Sequence, residues 1–164
     1  MTRHLAALVV AAALAPAARA DLNVSEVAPG LLRGRAPYVP RDFQQLRRLG
    51  VRTVLDIRGN QRLASAVERR QAARYGLAYR HVQLGFRPLR DGSAERVVAA
   101  MQDTADYPLY VHCNLNRDRT SAVVATYRVR VQGWPAEAAA EEARSFGLRR
   151  YFLGLNRYIR ALGR

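Results

Sequence analysis

The run His112-Cys113-Asn114-Leu115-Asn116-Arg117-Asp118-Arg119-Thr120 places a nucleophile, a fixed cation and several small polar residues in one short stretch. A cysteine attacks as its thiolate, which is populated at neutral pH where a helix N-terminus or a nearby cation stabilises the negative sulfur. The apolar residues Leu109 to His112 read as a strand, and the pattern from Arg119 to Gln132 reads as a helix with Val123, Tyr127 and Val131 on one stripe. A loop wrapping from a strand into a helix start points several backbone N–H groups inward, and such a concavity suits a doubly charged phosphate. Arg119 can offer its planar fork to two phosphoryl oxygens, and Thr120 is spaced to donate to the sulfur. The expected phosphate cradle is therefore Asn114, Leu115, Asn116, Arg117, Asp118 and Arg119.

Cys113 is the only cysteine, so an internal disulfide is excluded and chemistry or burial must account for it. The chain has 164 residues, 49% hydrophobic and 24% charged, which fits one globular domain and excludes a disordered or fibrous protein. All 27 basic residues are Arg, against 13 acids, giving a net charge of +14. That charge attracts phosphorylated ligands, nucleic acid or anionic lipid heads alike. The arginines are scattered, however, and the doublets Arg47-Arg48, Arg69-Arg70 and Arg149-Arg150 fall on helical stretches where a solvated face explains them. No specific nucleic-acid partner is expected.

The first twenty residues have a basic start, an apolar run from Leu5 to Leu14 and an Ala18-Arg19-Ala20 ending. These are the parts of a secretory signal peptide over residues 1–20, with cleavage after Ala20. The apolar run is too short to cross a bilayer, so no stable membrane span is expected after cleavage, and an uncleaved anchor is the second reading. A periplasmic or secreted domain over residues 21–164 follows.

Along that domain, strand and helix patterns alternate. A strand or two surround Pro29-Gly30; a helix opens at Pro40-Arg41-Asp42 and stops at Gly50; Val51 to Ile57 form a buried strand; Gln61 to Tyr75 form a helix; Leu77 to Leu84 form a strand. After the breaker-rich Gly85 to Gly92, Ser93 is expected to cap a helix through Met101, and two further helices follow at Pro135 to Ser145 and Arg149 to Leu162. The pattern predicts a single α/β domain whose mainly parallel central sheet is flanked by helices, with ligands at the carboxyl ends of the strands. His81 lacks a second His or Cys at metal-site spacing and reads as a half-buried structural residue. Trp134 and Tyr151-Phe152 read as packing residues, and Arg58 either faces the pocket rim or is solvated.

The His-Cys-x5-Arg-Thr run resembles the signature of cysteine-based protein tyrosine phosphatases, and the small size resembles their dual-specificity branch. Leu32-Arg33-Gly34-Arg35-Ala36-Pro37, Val51 to Arg58, and Tyr127-Arg128 through Gly133-Trp134 resemble the exported bacterial members. The resemblance implies that Cys113 attacks phosphorus and forms a thiophosphate, that Arg119 and the loop amides stabilise the transition state, and that His112 and Thr120 support the loop and the thiolate. It also implies metal-independent chemistry with no cofactor, and partners that are phosphorylated proteins or small phosphorylated ligands, with inositol phosphates or anionic head groups as the alternative. A general acid is expected on a separate upstream loop, where Asp91 stands; Asp118, inside the signature, is its rival. Two residues depart from the family pattern, Asn116 and Ser121, both where glycine is usual. Asn tolerates positive φ, but its amide could crowd the pocket, so a phosphate-binding protein without turnover is the second hypothesis.

Overall fold

In the computed structural model, which describes residues 22–59, 61–85 and 92–163, a five-stranded mixed sheet sets the frame. The expected signal peptide and Asp91 lie outside the described residues. Strands β1 (Ser25–Ala28) and β2 (Leu31–Arg35) form an antiparallel hairpin around Pro29-Gly30. There follow α1 (Pro40–Arg48), β3 (Thr53–Arg58), α2 (Arg62–Arg74), β4 (Ala78–Leu84), α3 (Ser93–Met101), a short 3-10 turn, β5 (Leu109–Cys113), α4 (Asp118–Arg130), α5 (Ala136–Ser145) and α6 (Leu153–Ala161). The spatial order is β1-β2-β5-β3-β4, with β5 parallel to both β2 and β3. Every residue of β3 and β5 is buried, as strands covered on both faces require.

Side chains alternate across the two faces. Val54 and Tyr110 join Phe43, Leu46, Ala72 and Leu77 in a core under α1 and α2. Leu55, Ile57, Val111 and Cys113 join Met101, Val123, Leu155 and Ile159 in a larger core under α3 to α6. The period of two then puts Asp56 and His112, paired in register, on the α1–α2 face, while Cys113 turns to the α4 face. Each fully buried Leu or Ile contributes roughly 1.5–3 kcal/mol to this arrangement.

Local chemistry sets the element ends. Pro40 opens α1, and the Asp42 carboxylate accepts from the N–H of Tyr38 and Val39 at 2.9 and 3.3 Å. Several expected boundaries move, three of them for a local reason. The cap of α3 is Gly92 in the left-handed region, not Ser93; Pro135 is the residue before α5; and α6 starts at Leu153, because Arg149 is drawn away to Asp118. Trp134 and Tyr151 are not core residues: they are 37% and 65% exposed, and arginines lie over their rings, Arg128 on Trp134 and Arg149 on Tyr151. His81 is exposed, with Nε2 at 2.8 Å from the Arg58 carbonyl. Among the described residues no helix is long and apolar enough to cross a membrane.

Gly34 in β2 leaves no room for a side chain. A Cβ there would meet the Tyr110 hydroxyl and stand 2.8 Å from the Leu22 carbonyl oxygen. The Tyr110 hydroxyl is fixed by donating to the Arg35 carbonyl at 2.6 Å. Gly34→Ala is therefore expected to cost about 3 kcal/mol, read as a lower urea midpoint at unchanged slope, with Tyr110→Phe recovering part of the loss; an unchanged midpoint would show that the strand has slack.

Candidate active site

Cys113 ends β5, the central strand, and α4 begins five residues later, so the loop between them opens at the carboxyl edge of the sheet. Asp118 through Arg128 are all buried, which fixes the helix start rigidly behind the loop. The Cys113 N–H donates to Thr120 Oγ1 at 3.0 Å. Burial by itself pushes the thiol up, since Cys113 is only 4% exposed. Hydrogen bonds from the Thr120 hydroxyl and from the N–H groups of Thr120 and Leu115, with the charge of Arg119, overturn that and hold the thiol below its ordinary value. The positive end of α4 acts in the same direction.

Arg119 is 4% exposed; burial lowers its pKa, and the charges of Cys113 and Asp56 oppose that. Gly59 makes way for it. A Cβ at Gly59 would lie 3.7 Å from Arg119 Nη1 and 3.2 Å from the Leu84 carbonyl oxygen, so the end of β4 passes beside the guanidinium. A pocket of about 70 Å³ is lined by Cys113, Asn114, Leu115, Asp118, Arg119 and Arg149. That is far smaller than the ~300–1,000 Å³ of a whole-ligand pocket and accepts one small group. On the other side of the loop, the Asn114 carbonyl accepts from Ala36 N at 3.1 Å, and Asn114 Oδ1 accepts from the Tyr38 hydroxyl at 3.3 Å.

Behind the loop lies a buried chain of charges. Arg58 donates from Nε and Nη2 to the two oxygens of Asp56, each at 2.8 Å, and from Nη2 to Glu68 Oε2 at 2.5 Å. Glu68 Oε1 meets His112 Nε2 at 2.7 Å, and His112 Nδ1 meets the Cys113 carbonyl at 2.9 Å. Both ring nitrogens face oxygen acceptors, so the imidazolium, with two N–H donors, satisfies both. Burial lowers the His112 pKa, but the Glu68 carboxylate wins and leaves it raised. Asp56 also takes hydrogen bonds from Ser65 and Tyr79, each at 2.8 Å. Burial would raise its carboxyl; the Arg58 hydrogen bond holds it well below the usual range. Two carboxylates, Arg58 and the imidazolium sum to no net charge, which a buried cluster needs.

These contacts correct two expectations. Arg58 is not solvated: it is 1% exposed, paired twice, and lines the groove on the Tyr38 side of the loop. The Asn116 amide does not crowd the pocket. At φ +55° the side chain turns into the protein, where Oδ1 accepts from Arg33 Nε at 2.8 Å and Nδ2 donates to the Asn23 carbonyl at 3.2 Å. Asp118 sits in the pocket wall, but both its oxygens are taken by Arg149, through the backbone N–H, Nε and Nη2. Arg117 is half-buried, outside the pocket lining.

Glu68 and Arg33 escaped sequence reasoning. The signal for Glu68 was an inverted helix: α2 turns Ser65, Glu68 and Ala72 inward and leaves Leu63 and Val67 86% and 58% exposed. Among the described residues no group of three or more His, Cys, Asp or Glu is placed to hold a metal ion.

The family model for the tyrosine phosphatase family matches residues 20–161. The chain belongs to the tyrosine phosphatase family. Within that family it is 32% identical over 135 residues to OCA1 of Yarrowia lipolytica, which carries the name of a tyrosine-protein phosphatase. The match takes in 76% of this chain and 50% of OCA1, so the chain spans about half the length of that relative. Among solved structures of the tyrosine phosphatase fold, P. aeruginosa TpbA in complex with pTyr superposes with a TM-score of 0.73 at 24% identity, covering 85% of this chain and 84% of TpbA. The core catalytic domain of the PP-IP phosphatase SIW14 from S. cerevisiae, in complex with citrate, gives 0.68 at 18% identity, with 85% and 84% covered.

Because the Thr120 hydroxyl both accepts from Cys113 N and donates to the sulfur, Thr120→Val is expected to raise the thiol pKa. The pH midpoint of Cys113 alkylation by iodoacetamide should move up by about one unit, the worth of one hydrogen bond to a charged group; no movement would remove Thr120 from the thiolate's support.

Proposed function

We propose that this chain hydrolyses phosphate monoesters through a covalent intermediate on Cys113. The observation that carries the reading is a buried cysteine whose thiol is depressed by donors from the helix start and by Arg119, at the wall of a pocket sized for one small group. The thiolate sulfur attacks phosphorus in line with the ester oxygen; the S–P bond forms as the P–O bond breaks, and the departing oxygen takes a proton. Water then attacks phosphorus, the S–P bond breaks, and inorganic phosphate leaves the regenerated thiolate. Arg119 binds two equatorial oxygens with its fork, and the loop N–H groups of residues 114 to 119 hold the rest. His112 and Thr120 keep the loop and the thiolate in place.

Asp91 is proposed as the acid. Asp118 is already saturated by Arg149, which disfavours it as the acid. The substrate class we propose is phosphotyrosine in protein. Its support is an apolar groove of about 240 Å³ on the Tyr38 side of the loop, lined by Pro37, Tyr38, Phe43, Leu63 and Val67, which suits an aryl group and its peptide flank. Inositol or lipid phosphates are the second reading, favoured by Arg149 in the pocket wall and by the neighbouring cluster of Arg144, Arg150, Arg157 and Arg160. Residues 1–20 are proposed as a cleaved signal peptide that sends the domain to the periplasm or the medium; N-terminal sequencing of the exported protein should begin at Asp21, and an intact Met1 would contradict cleavage.

With para-nitrophenyl phosphate under reducing conditions, Cys113→Ser is expected to lower kcat by about 10⁵-fold or more and Arg119→Ala by about 10³-fold. Asp91→Asn should lose the basic limb of the pH profile and about 10²-fold in kcat, while Asp118→Asn keeps that limb. A folded, reduced wild type that releases no phosphate while still binding vanadate would favour the binding module instead.

A further inference from the structure

The two residues that stand where the family usually has glycine, Asn116 and Ser121, share one partner. Arg33 on β2 is buried, with 1% of its surface exposed. Its Nε donates to Asn116 Oδ1 at 2.8 Å, and its Nη2 donates both to the Asn116 carbonyl at 3.0 Å and to Ser121 Oγ at 2.9 Å. The guanidinium lies 3.7 Å over the Phe146 ring, which closes its other face. Burial lowers its pKa to about 10, opposed by the charges of Glu142 and Cys113, so it is a cation at neutral pH. Ser121 N in turn donates to the Arg117 carbonyl at 2.9 Å, so one fork ties the middle of the loop to the first turn of α4.

We propose that Arg33 is a positioning residue of the phosphate-binding loop, whose fork takes over the task that glycine performs elsewhere in the family by holding Asn116 in its left-handed conformation and aiming the next peptide. This deepens the phosphatase reading given above and rests on it. A trans peptide sets its C=O and N–H in opposite directions. With the Asn116 carbonyl held by Arg33 Nη2, the Arg117 N–H on the same peptide plane points away from Arg33. Asn pays for φ +55° with steric strain that glycine avoids, and its buried carboxamide needs partners besides. Without the fork, the Asn116 oxygens and the Ser121 hydroxyl lose their donor inside the protein, and the peptide is free to turn over.

The interaction is specific to the fork, so Arg33→Lys, which keeps a cation but not its three directed hydrogen bonds, is the informative variant. Wild type, Arg33→Lys, Asn116→Gly and the double variant are compared by two readouts. One is the pH midpoint of Cys113 alkylation by iodoacetamide, which needs no turnover; the other is kcat and KM on para-nitrophenyl phosphate. Arg33→Lys is expected to raise the midpoint and lower kcat by roughly tenfold to a hundredfold with a smaller change in KM, as misaimed loop donors predict. In the Asn116→Gly background the same substitution should cost threefold or less at about the scale of ordinary packing noise. Equal losses in both backgrounds, or a lysine variant that matches wild type, would overturn the proposal. If Arg33→Lys does not fold, Ser121→Ala, which removes one acceptor and leaves Arg33 in place, should move the midpoint in the same direction, and an unmoved midpoint would overturn it. A wild type that shows the coupling by alkylation but never turns over would instead refute the phosphatase reading and leave the loop assignment standing.

Discussion

An anion enclosed to the extent of the Cys113 sulfur exists only where donors and cations are set around it before it ionises, and that requirement organises most of the chain. Water cannot solvate a thiolate in a wall that leaves 4% of the residue exposed. Its stabilisation comes instead from the start of a helix buried for three turns, from the Thr120 hydroxyl and from Arg119. None of these groups can be brought up individually. They arrive together because β5 is central in the sheet, ends where β2 and β3 also end, and hands the chain directly to α4.

The two faces of β5 divide the labour. Cys113 faces α4 and the chemistry; His112, one residue earlier, faces α2 and the Glu68–Arg58–Asp56 chain. Such a cluster is stable as a whole and costly in part: removing one partner from a buried pair leaves an uncompensated charge, at about 3–5 kcal/mol. The loop is thus braced from behind by His112, which holds the Cys113 carbonyl, and from beside by Arg33, which holds Asn116 and Ser121. These braces explain how the loop closes with asparagine where glycine is usual. Position 116 is not a defect in the motif but half of a pair, and its other half is 83 residues away in sequence.

Much of this was legible in the residues. Strand, loop and helix around Cys113 follow from local pattern alone, and so do the α/β alternation and the roles open to Arg119 and Thr120. What local pattern could not reach were contacts across strands. The burial of Arg58 and Glu68 is one example, because charged residues are rarely buried unless paired, and the pairing is visible only once β3, α2 and β5 are assembled. Leu63 and Val67 are likewise apolar residues on the outer side of a helix whose inner side carries Ser65 and Glu68. Asn116 raised the right question at the sequence level, whether its amide enters the pocket, and only the position of Arg33 answers it. The shift of α6 to Leu153 has a similar origin, since Arg149 bonds to Asp118 across the fold instead of entering the helix.

Turnover by this route requires the Cys113 sulfur to bond to phosphorus. Rapid-quench reaction of the reduced wild type with an aryl phosphate labelled at phosphorus, followed by proteolysis and mass spectrometry, tests it directly. Label is expected on the peptide that contains Cys113, appearing within the first turnover and absent in Cys113→Ser. Steady phosphate release with no label on that peptide, or label on another residue, would contradict it.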